Sequence, residues 1–334
     1  MTRIACVIGA TGYVGSAIVK SLASAGFAVR ALSRNPSNAA WLESLSGPGA
    51  VTVHQLDLGT GLDPSATAGG MEGAFEGAEC VFFAAGFEKQ EQATVDFYKG
   101  NVLATIRAAK ASNVATVVVT SSGGSTNAPG LTDSIPKNEI EHWSDPDDQL
   151  AKGKFSPAAK TLMEIAALEA CGRNKRNEVV DEVVAKSAPR LVIMNPNLIL
   201  GPPLDPGAIK GNSLPWIVKI LKKERMNESV PNDSMSIIDV RDLAALHVAA
   251  ATNESASGRY FGVNKSFPWT EILGAFEEAL PSYTAPPRKE GEDYEGKIAT
   301  QFDHTRKQSL GVSLRPLKET LKDLVKFLQE RGEV

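Results

Sequence analysis

Short apolar runs alternate with amphipathic stretches from the start of the chain. Ile4-Ala-Cys-Val-Ile8 is uniformly apolar, which predicts a strand buried on both faces. Val14, Ala17, Ile18, Leu22 and Ala25 then recur at helical spacing, and Gly26 supplies a stop. The alternation continues with strands predicted over Phe27–Leu32, Val51–Leu56, Glu79–Ala84, Ala115–Thr120 and Arg190–Met194, the last stopped by Asn195-Pro196. Helices are predicted over Asn101–Ser112 and Ser156–Cys171. Strands and helices in strict succession predict an α/β fold built on a doubly wound parallel sheet.

Two regions break the pattern. Residues 126–155 are rich in Asn, Asp, Pro, Gly and Lys and read as an ordered loop over a site. After Gly201-Pro-Pro203 the alternation is lost, so residues 1–202 form the sheet domain and residues 203–334 mostly a smaller C-terminal, substrate-binding lobe, with 232–262 returning to the sheet. Near the end, Leu314, Leu317, Leu321, Leu324 and Leu328 make an apolar helical stripe, read as core.

In open α/β sheets ligands sit beyond the carboxyl ends of the strands. Gly9, Arg34, Asp57, Ala84, Ser122 and Asn195 all fall at such ends. The first turn carries the most chemistry. In Gly9-Ala-Thr-Gly12-Tyr-Val-Gly15, Gly9 allows the turn, Gly12 admits a phosphate close to the backbone, and Gly15 lets the helix pack against the strand. Free N–H groups at the helix start then favour a dinucleotide's diphosphate. An NAD site places a carboxylate about 20 residues further on, against the ribose hydroxyls. No Asp or Glu lies between Gly15 and Glu43, whereas Lys20, Arg30 and Arg34 do. Arg34 suits a 2′-phosphate through paired charge-assisted bonds, so NADP(H) is expected ahead of NAD(H). As a bare loop charge it would carry no such meaning.

Composition narrows the class. The 334 residues are 43% hydrophobic and 22% charged, with a net charge of −4, an ordinary globular balance with no pull toward nucleic acid or acidic membranes. Three scattered cysteines, Cys6, Cys80 and Cys171, form no disulfide framework and fit a reducing compartment. With the first strand beginning at residue 3 or 4 and no long apolar run, a cytoplasmic protein is expected, without a membrane partner and as a monomer or homodimer. His54, His142, His247 and His304 are isolated, so no metal site is expected, and His247 reads as packed core. Ser122 lacks a nucleophile elbow, and Ser156 to Lys160 is one residue too long for a Ser-x-x-Lys pair, which argues against a serine hydrolase.

The chain resembles the extended short-chain dehydrogenase/reductases, a Rossmann-type family, and especially their dihydroflavonol reductase and cinnamoyl-CoA reductase branch. The resemblance rests on the glycine turn, Val29-Arg-Ala-Leu-Ser-Arg34, Asp57-Leu58, Asn101-Val102, Thr120-Ser-Ser122, Trp143-Ser-Asp145, Lys160-Thr-Leu-Met-Glu164, Pro196 to Gly201-Pro202, Ile238 to Ala244 and Gly258-Arg-Tyr-Phe261. It implies an NADP(H)-dependent oxidoreductase acting on a small carbonyl or alcohol. It implies a cofactor envelope of Gly9, Thr11, Gly12, Tyr13, Val14, Gly15, Arg34, Asp57, Leu58, Ala84, Ala85, Gly86, Lys160, Pro196, Asn197 and Leu198. A substrate is expected against Phe87, Ser122, Asn195 and Trp216.

Such enzymes use a Ser to hold the substrate oxygen, a Tyr to deliver the proton, and a Lys four residues later to lower the Tyr pKa. The resemblance assigns the Ser role to Ser122 and the Lys role to Lys160, while Ser156 stands where the Tyr belongs. Ser156 before Pro157 also fits a plain helix start, Ser as N-cap and Pro at N1. Tyr98 and His142 are other proton donors the sequence alone does not place. Two further departures are a segment at 172–189 about a dozen residues longer than usual, and Trp41 where relatives carry a second basic residue. Loss of the Tyr keeps two alternatives open: a non-catalytic NADP(H)-binding redox sensor or regulator, and an epimerase or C=C reductase.

Overall fold

A computed structural model describes residues 2–87, 89, 91–205, 209, 213–297 and 299–334. Seven strands form one wholly parallel sheet: β1 (Ile4–Ile8), β2 (Ala28–Ser33), β3 (Val51–Gln55), β4 (Cys80–Phe83), β5 (Thr116–Thr120), β6 (Arg190–Pro196) and, beyond two strands of the lobe, β9 (Gly258–Gly262). Their spatial order is β3-β2-β1-β4-β5-β6-β9, so the winding reverses between β1 and β4. That reversal opens a crevice at the carboxyl ends of the strands, the position where doubly wound sheets hold ligands. The central strands are buried on both faces, as their unbroken apolar runs require: β4 and β5 have no exposed residue.

The two faces are covered by different helices. On one side the Tyr13–Ser24 helix packs with Val240–Thr252, and Ile18, Leu22, Leu243 and Leu246 join Val7, Val29 and Phe82 in one core. On the other, Gln92–Ala111 and Phe155–Ala170 pack with Pro64–Phe75, bringing Val102, Ile106, Met163 and Phe75 against Ile8, Val81 and Val119. The second lobe has its own three-stranded sheet, β7 (Leu198–Leu200), β8 (Ser234–Asp239) and β10 (Lys265–Pro268). It is covered by Ser213–Leu221, Trp269–Ala279 and Leu317–Glu330 around Ile217, Phe276, Leu321 and Leu324.

Several expectations need correction. β6 runs on through Asn195 and Pro196, which pair with Phe261 and Gly262, because a terminal Pro costs only one ladder donor. The helix expected from Asn101 begins at Gln92, nine residues earlier, its polar first turns carrying the buried Val95, Phe97 and Tyr98. The loop over 126–155 contains a helix, Pro146–Ala151, whose N-cap Asp145 accepts from the backbone N–H groups of Asp147 and Asp148. Leu314 lies ahead of the terminal helix and packs on the sheet core rather than on the lobe. Among the described residues no helix is long and apolar enough to cross a membrane, and no His, Cys, Asp and Glu cluster could hold a metal ion.

Candidate active site

The crevice is a cleft of about 1150 Å³ running along the ends of β1, β2, β3, β4 and β5 and roofed by the start of the lobe. Its floor at β1 is the glycine turn. Gly9 has a φ of +79°, and a Cβ there would lie 2.6 Å from the Ala85 nitrogen. A Cβ on Gly15 would lie 2.0 Å from the Gly9 carbonyl oxygen, so the helix approaches the turn to a distance only Gly permits. The Tyr13–Ser24 helix has Gly12 as N-cap, no side-chain cap and no acidic residue in its first turn. Its N-terminal N–H groups are therefore available to an anion in the cleft, where Gly9, Thr11, Gly12, Tyr13 and Val14 form the wall. The cradle fits a dinucleotide diphosphate.

At the β2 end the three basic residues separate. Lys20 donates to the Leu45 carbonyl, and Arg30 to those of Ala74 and Glu76. Arg34 is exposed, lines the cleft, and has no ion-pair partner among the described residues. Ser33, Asn35 and Asn38 stand beside it. Sequence reasoning missed these three; the signal was the turn after β2, where Asn35 caps the short Pro36–Ala39 helix through the Asn38 N–H. Trp41 packs partly buried against the sheet core instead. Asp57, Leu58, Ala84, Ala85, Gly86 and Phe87 continue the lining past the ends of β3 and β4.

Ser122, Ser156 and Lys160 all face the same cleft. Ser122 Oγ accepts from the Gly124 N–H at 3.0 Å, which leaves its own O–H as a donor. Lys160 Nζ donates to the Thr120 carbonyl at 3.0 Å and stands 3.9 Å from the centre of the Tyr98 ring. Part of the residue stays open to the cleft, yet burial of the ammonium pushes its pKa down to about 7, against a smaller opposing pull from Glu164. Tyr98 therefore enters the site by a route the sequence did not give: its ring floors the lysine, and its hydroxyl accepts from the Phe87 N–H at 3.0 Å. His142 is elsewhere, its Nδ1 accepting from the Asn138 N–H in the loop. His247 is packed core: its ring meets Thr120 Oγ1 and the Leu243 carbonyl, each at 2.8 Å, and burial lowers its pKa to about 4.

Ser156 does not cap its helix. The helix starts at Phe155 with Lys154 at the N-cap, so Ser156 is the second helical residue and turns toward the cleft. Three other expectations move. Leu198 is buried in the lobe and lies outside the cleft lining. Trp216 packs edge-on against Trp269, ring centres 5.4 Å apart, and its neighbours Ser213 and Pro215 line the cleft in its place. Asn195 is fully buried behind the Ser122 turn.

Behind that turn lies a buried polar cluster that sequence reasoning did not see. Glu164, one helical turn beyond Lys160, accepts from Ser121 Oγ, from Ser125 Oγ at 2.5 Å and from Asn195 Nδ2 at 2.7 Å. Its other oxygen stands 2.7 Å from Arg259 Nε. Arg259 also donates to the carbonyls of Ser125, Glu139 and His142 and lies 3.7 Å over the Trp143 ring. Removing one partner from such a pair leaves an uncompensated buried charge, at a cost of about 3–5 kcal/mol. The cluster thus fixes the Ser122 turn, the loop and β9 to one another.

Comparisons with known proteins identify the family and the fold. A family described as NAD(P)H-binding matches residues 9–154. Cinnamoyl-CoA reductase 2 of Arabidopsis thaliana is 31% identical over 335 residues, covering 99% of this chain and 94% of that one. Anthocyanidin reductase of the same plant is 30% identical, covering 90% and 93%. The solved structure of a yeast methylglyoxal/isovaleraldehyde reductase in complex with NADPH superposes with a TM-score of 0.79 at 21% identity, over 99% of this chain and 100% of that one. The chain is therefore an NAD(P)H-binding oxidoreductase and belongs to the cinnamoyl-CoA reductase branch of the extended short-chain dehydrogenase/reductase family.

Proposed function

We propose that this chain reduces the carbonyl group of a small molecule with NADPH, using Lys160 as the proton source in place of the family's tyrosine. The observation that carries the reading is the convergence of Ser122, Ser156 and Lys160 on one cleft beside the glycine cradle. Gly9, Gly12 and the helix start hold the diphosphate, Asp57 and Leu58 border the adenosine end, and Arg34 meets the 2′-phosphate. When bound, the nicotinamide supplies the hydride. The Ser122 O–H donates to the carbonyl oxygen and stabilises the charge that builds there. A Ser hydroxyl reaches roughly 4 Å less far than a phenol, taking bonds of about 1.5 Å, and it is a far weaker acid than a Tyr of pKa about 10. Ser156 therefore holds a water rather than donating directly, and the water passes a proton from the Lys160 ammonium to the alkoxide.

The cofactor preference is tested by Arg34→Ala. Loss of a charge-assisted phosphate contact of about 1.5–3 kcal/mol weakens NADPH about 10- to 100-fold and leaves NADH unchanged, as calorimetry with both would record. Equal losses for the two nucleotides would move the 2′-phosphate away from Arg34.

The function itself is tested by following NADPH oxidation over a panel of aldehydes and ketones, with Ser156→Tyr beside the unaltered chain. Turnover by the unaltered protein is expected. A chain that binds NADPH, reduces nothing, and gains activity only as the Tyr variant is a sensor, and the reductase reading is then wrong.

A further inference from the structure

The residue four before Lys160 is a serine, so no phenol reaches the lysine from its own helix. One reaches it from the neighbouring helix. Tyr98 lies on the Gln92–Ala111 helix, which packs against the Phe155–Ala170 helix, and Lys160 Nζ stands 3.9 Å from the centre of its ring. The hydroxyl is engaged elsewhere, accepting from the Phe87 N–H at 3.0 Å. Phe97 meets the Tyr98 ring edge-on at 5.5 Å, and Phe87 stacks on Phe97 at 4.8 Å with the planes 18° apart. Phe97 and Tyr98 are both buried, so these contacts hold the ring in one place.

Few charges face Lys160. From β5 the Thr120 carbonyl accepts at 3.0 Å, and His247, which meets Thr120 Oγ1, stays neutral because burial lowers its pKa to about 4. On its own helix Glu164 pulls on the ammonium, yet that carboxylate is shared with Arg259, Ser121, Ser125 and Asn195. On the Gln92–Ala111 helix Lys99 is exposed and Asp96 accepts from Gln92, while Asp147 and Asp148 of the Pro146–Ala151 helix are exposed. A ring face attracts a cation without ionising and without taking a directed N–H. Thr120 uses one of the three ammonium donors, and the others stay available to the cleft. A carboxylate in the place of the ring would favour the charged form too strongly for the proton to be released near neutral pH.

We propose that Tyr98 is a positioning residue for the reduction: its ring face holds the Lys160 ammonium at the cleft and sets how tightly Lys160 keeps the proton it passes on. The inference rests on the reductase reading and deepens it. Burial pushes the Lys160 pKa down to about 7. The ring works against burial, because it stabilises the charged form. Weakening the ring's attraction therefore lowers the pKa further and moves any step that needs the ammonium to lower pH.

The test changes the charge on the ring face while keeping its shape. Tyr98→Phe is made with ordinary phenylalanine and again, at that one codon, with 3,4,5-trifluorophenylalanine, whose face is electron-poor. Lys160 is titrated by NMR in protein carrying lysine labelled with carbon-13 at Cε, its signal assigned by its loss in Lys160→Arg. The fluorinated form should titrate about 0.5–1.5 pH units below the ordinary Phe form. The break in kcat/KM for carbonyl reduction at saturating NADPH should move down with it. Equal midpoints in the two forms, or an upward shift, overturn the proposal. A titration that shifts while the rate break stays fixed overturns the link to the reaction, because the proton then comes from another group. Turnover of no carbonyl counts against the reductase reading, and the titration still decides whether the ring holds the lysine. In the unaltered protein the Lys160 ε-protons should lie upfield of the other lysines, shielded by the ring. An ordinary position for them refutes the contact, whatever the variants do.

Discussion

Lys160→Met is expected to lower kcat for carbonyl reduction by about 10²- to 10⁴-fold, the span that positioned proton transfer contributes. The pH profile carries more information than the rate. Burial holds the Lys160 pKa near 7, so its proton-bearing form dominates below that value and is lost above it. Reduction needs the proton. In the unaltered protein kcat/KM for the carbonyl should therefore plateau below about pH 7 and fall tenfold per unit above it, while oxidation of the alcohol runs the opposite way. Lys160→Arg keeps a cation against the Tyr98 ring but does not titrate in this range, so it should flatten the profile as well as slow the reaction. A break that persists unchanged in the Arg variant would assign the proton to another group.

The second large effect is expected at Gly15. Its missing Cβ is the reason the first helix reaches the turn at all, because an added carbon would collide with the Gly9 carbonyl 2.0 Å away. Gly15→Ala must push helix and strand apart, which tilts the uncapped N–H groups at the helix start, those proposed above to hold the diphosphate. A displacement of this order, about 1 Å, costs about 100-fold in kcat/KM, and calorimetry should show NADPH affinity falling with it. Gly274 supplies the contrast. It lies in the Trp269–Ala279 helix, and a Cβ there meets nothing within 4 Å. Gly274→Ala should stabilise the protein by about 0.5–1 kcal/mol through helix propensity alone, a small rise in melting temperature. If the two substitutions behave alike, the cradle does not depend on close packing.

These sites were legible to different degrees in the sequence. The sheet was read well because buried parallel strands are short unbroken apolar runs, and the first five, from Ile4–Ile8 to Thr116–Thr120, lie within a residue of where the chain predicts them. Helices were read less well. Pro64–Phe75 contains Gly69, Gly70 and Gly73, whose low propensity hides it, and tertiary contacts with the Gln92–Ala111 helix hold it in place. The same override extends the Gln92 helix upstream through Asp96, Lys99 and Gly100. The wall of the cleft was legible because its residues follow strand ends in chain order. The cluster around Glu164 and Arg259 was not, since partners this far apart leave no local period, and a buried charge is written in the sequence like an exposed one. Ser156 illustrates the limit at a single position: Ser-Pro reads as a helix start whether the first turn opens one residue earlier or later.

The route of the chain through its sheet has a consequence for how it is made. After β6 the polypeptide leaves to build the lobe's first two strands, and the neighbour of β6 arrives only with Gly258–Gly262. At about 5–20 residues per second, a ribosome takes several seconds to cover that interval. Throughout it, the nascent chain carries an unpaired, apolar strand margin, Leu191-Val-Ile-Met194, with its hydrogen-bonding groups open to any similar strand nearby. Truncations ending between Pro196 and Gly258 should therefore aggregate in the cell rather than accumulate as a free nucleotide-binding half.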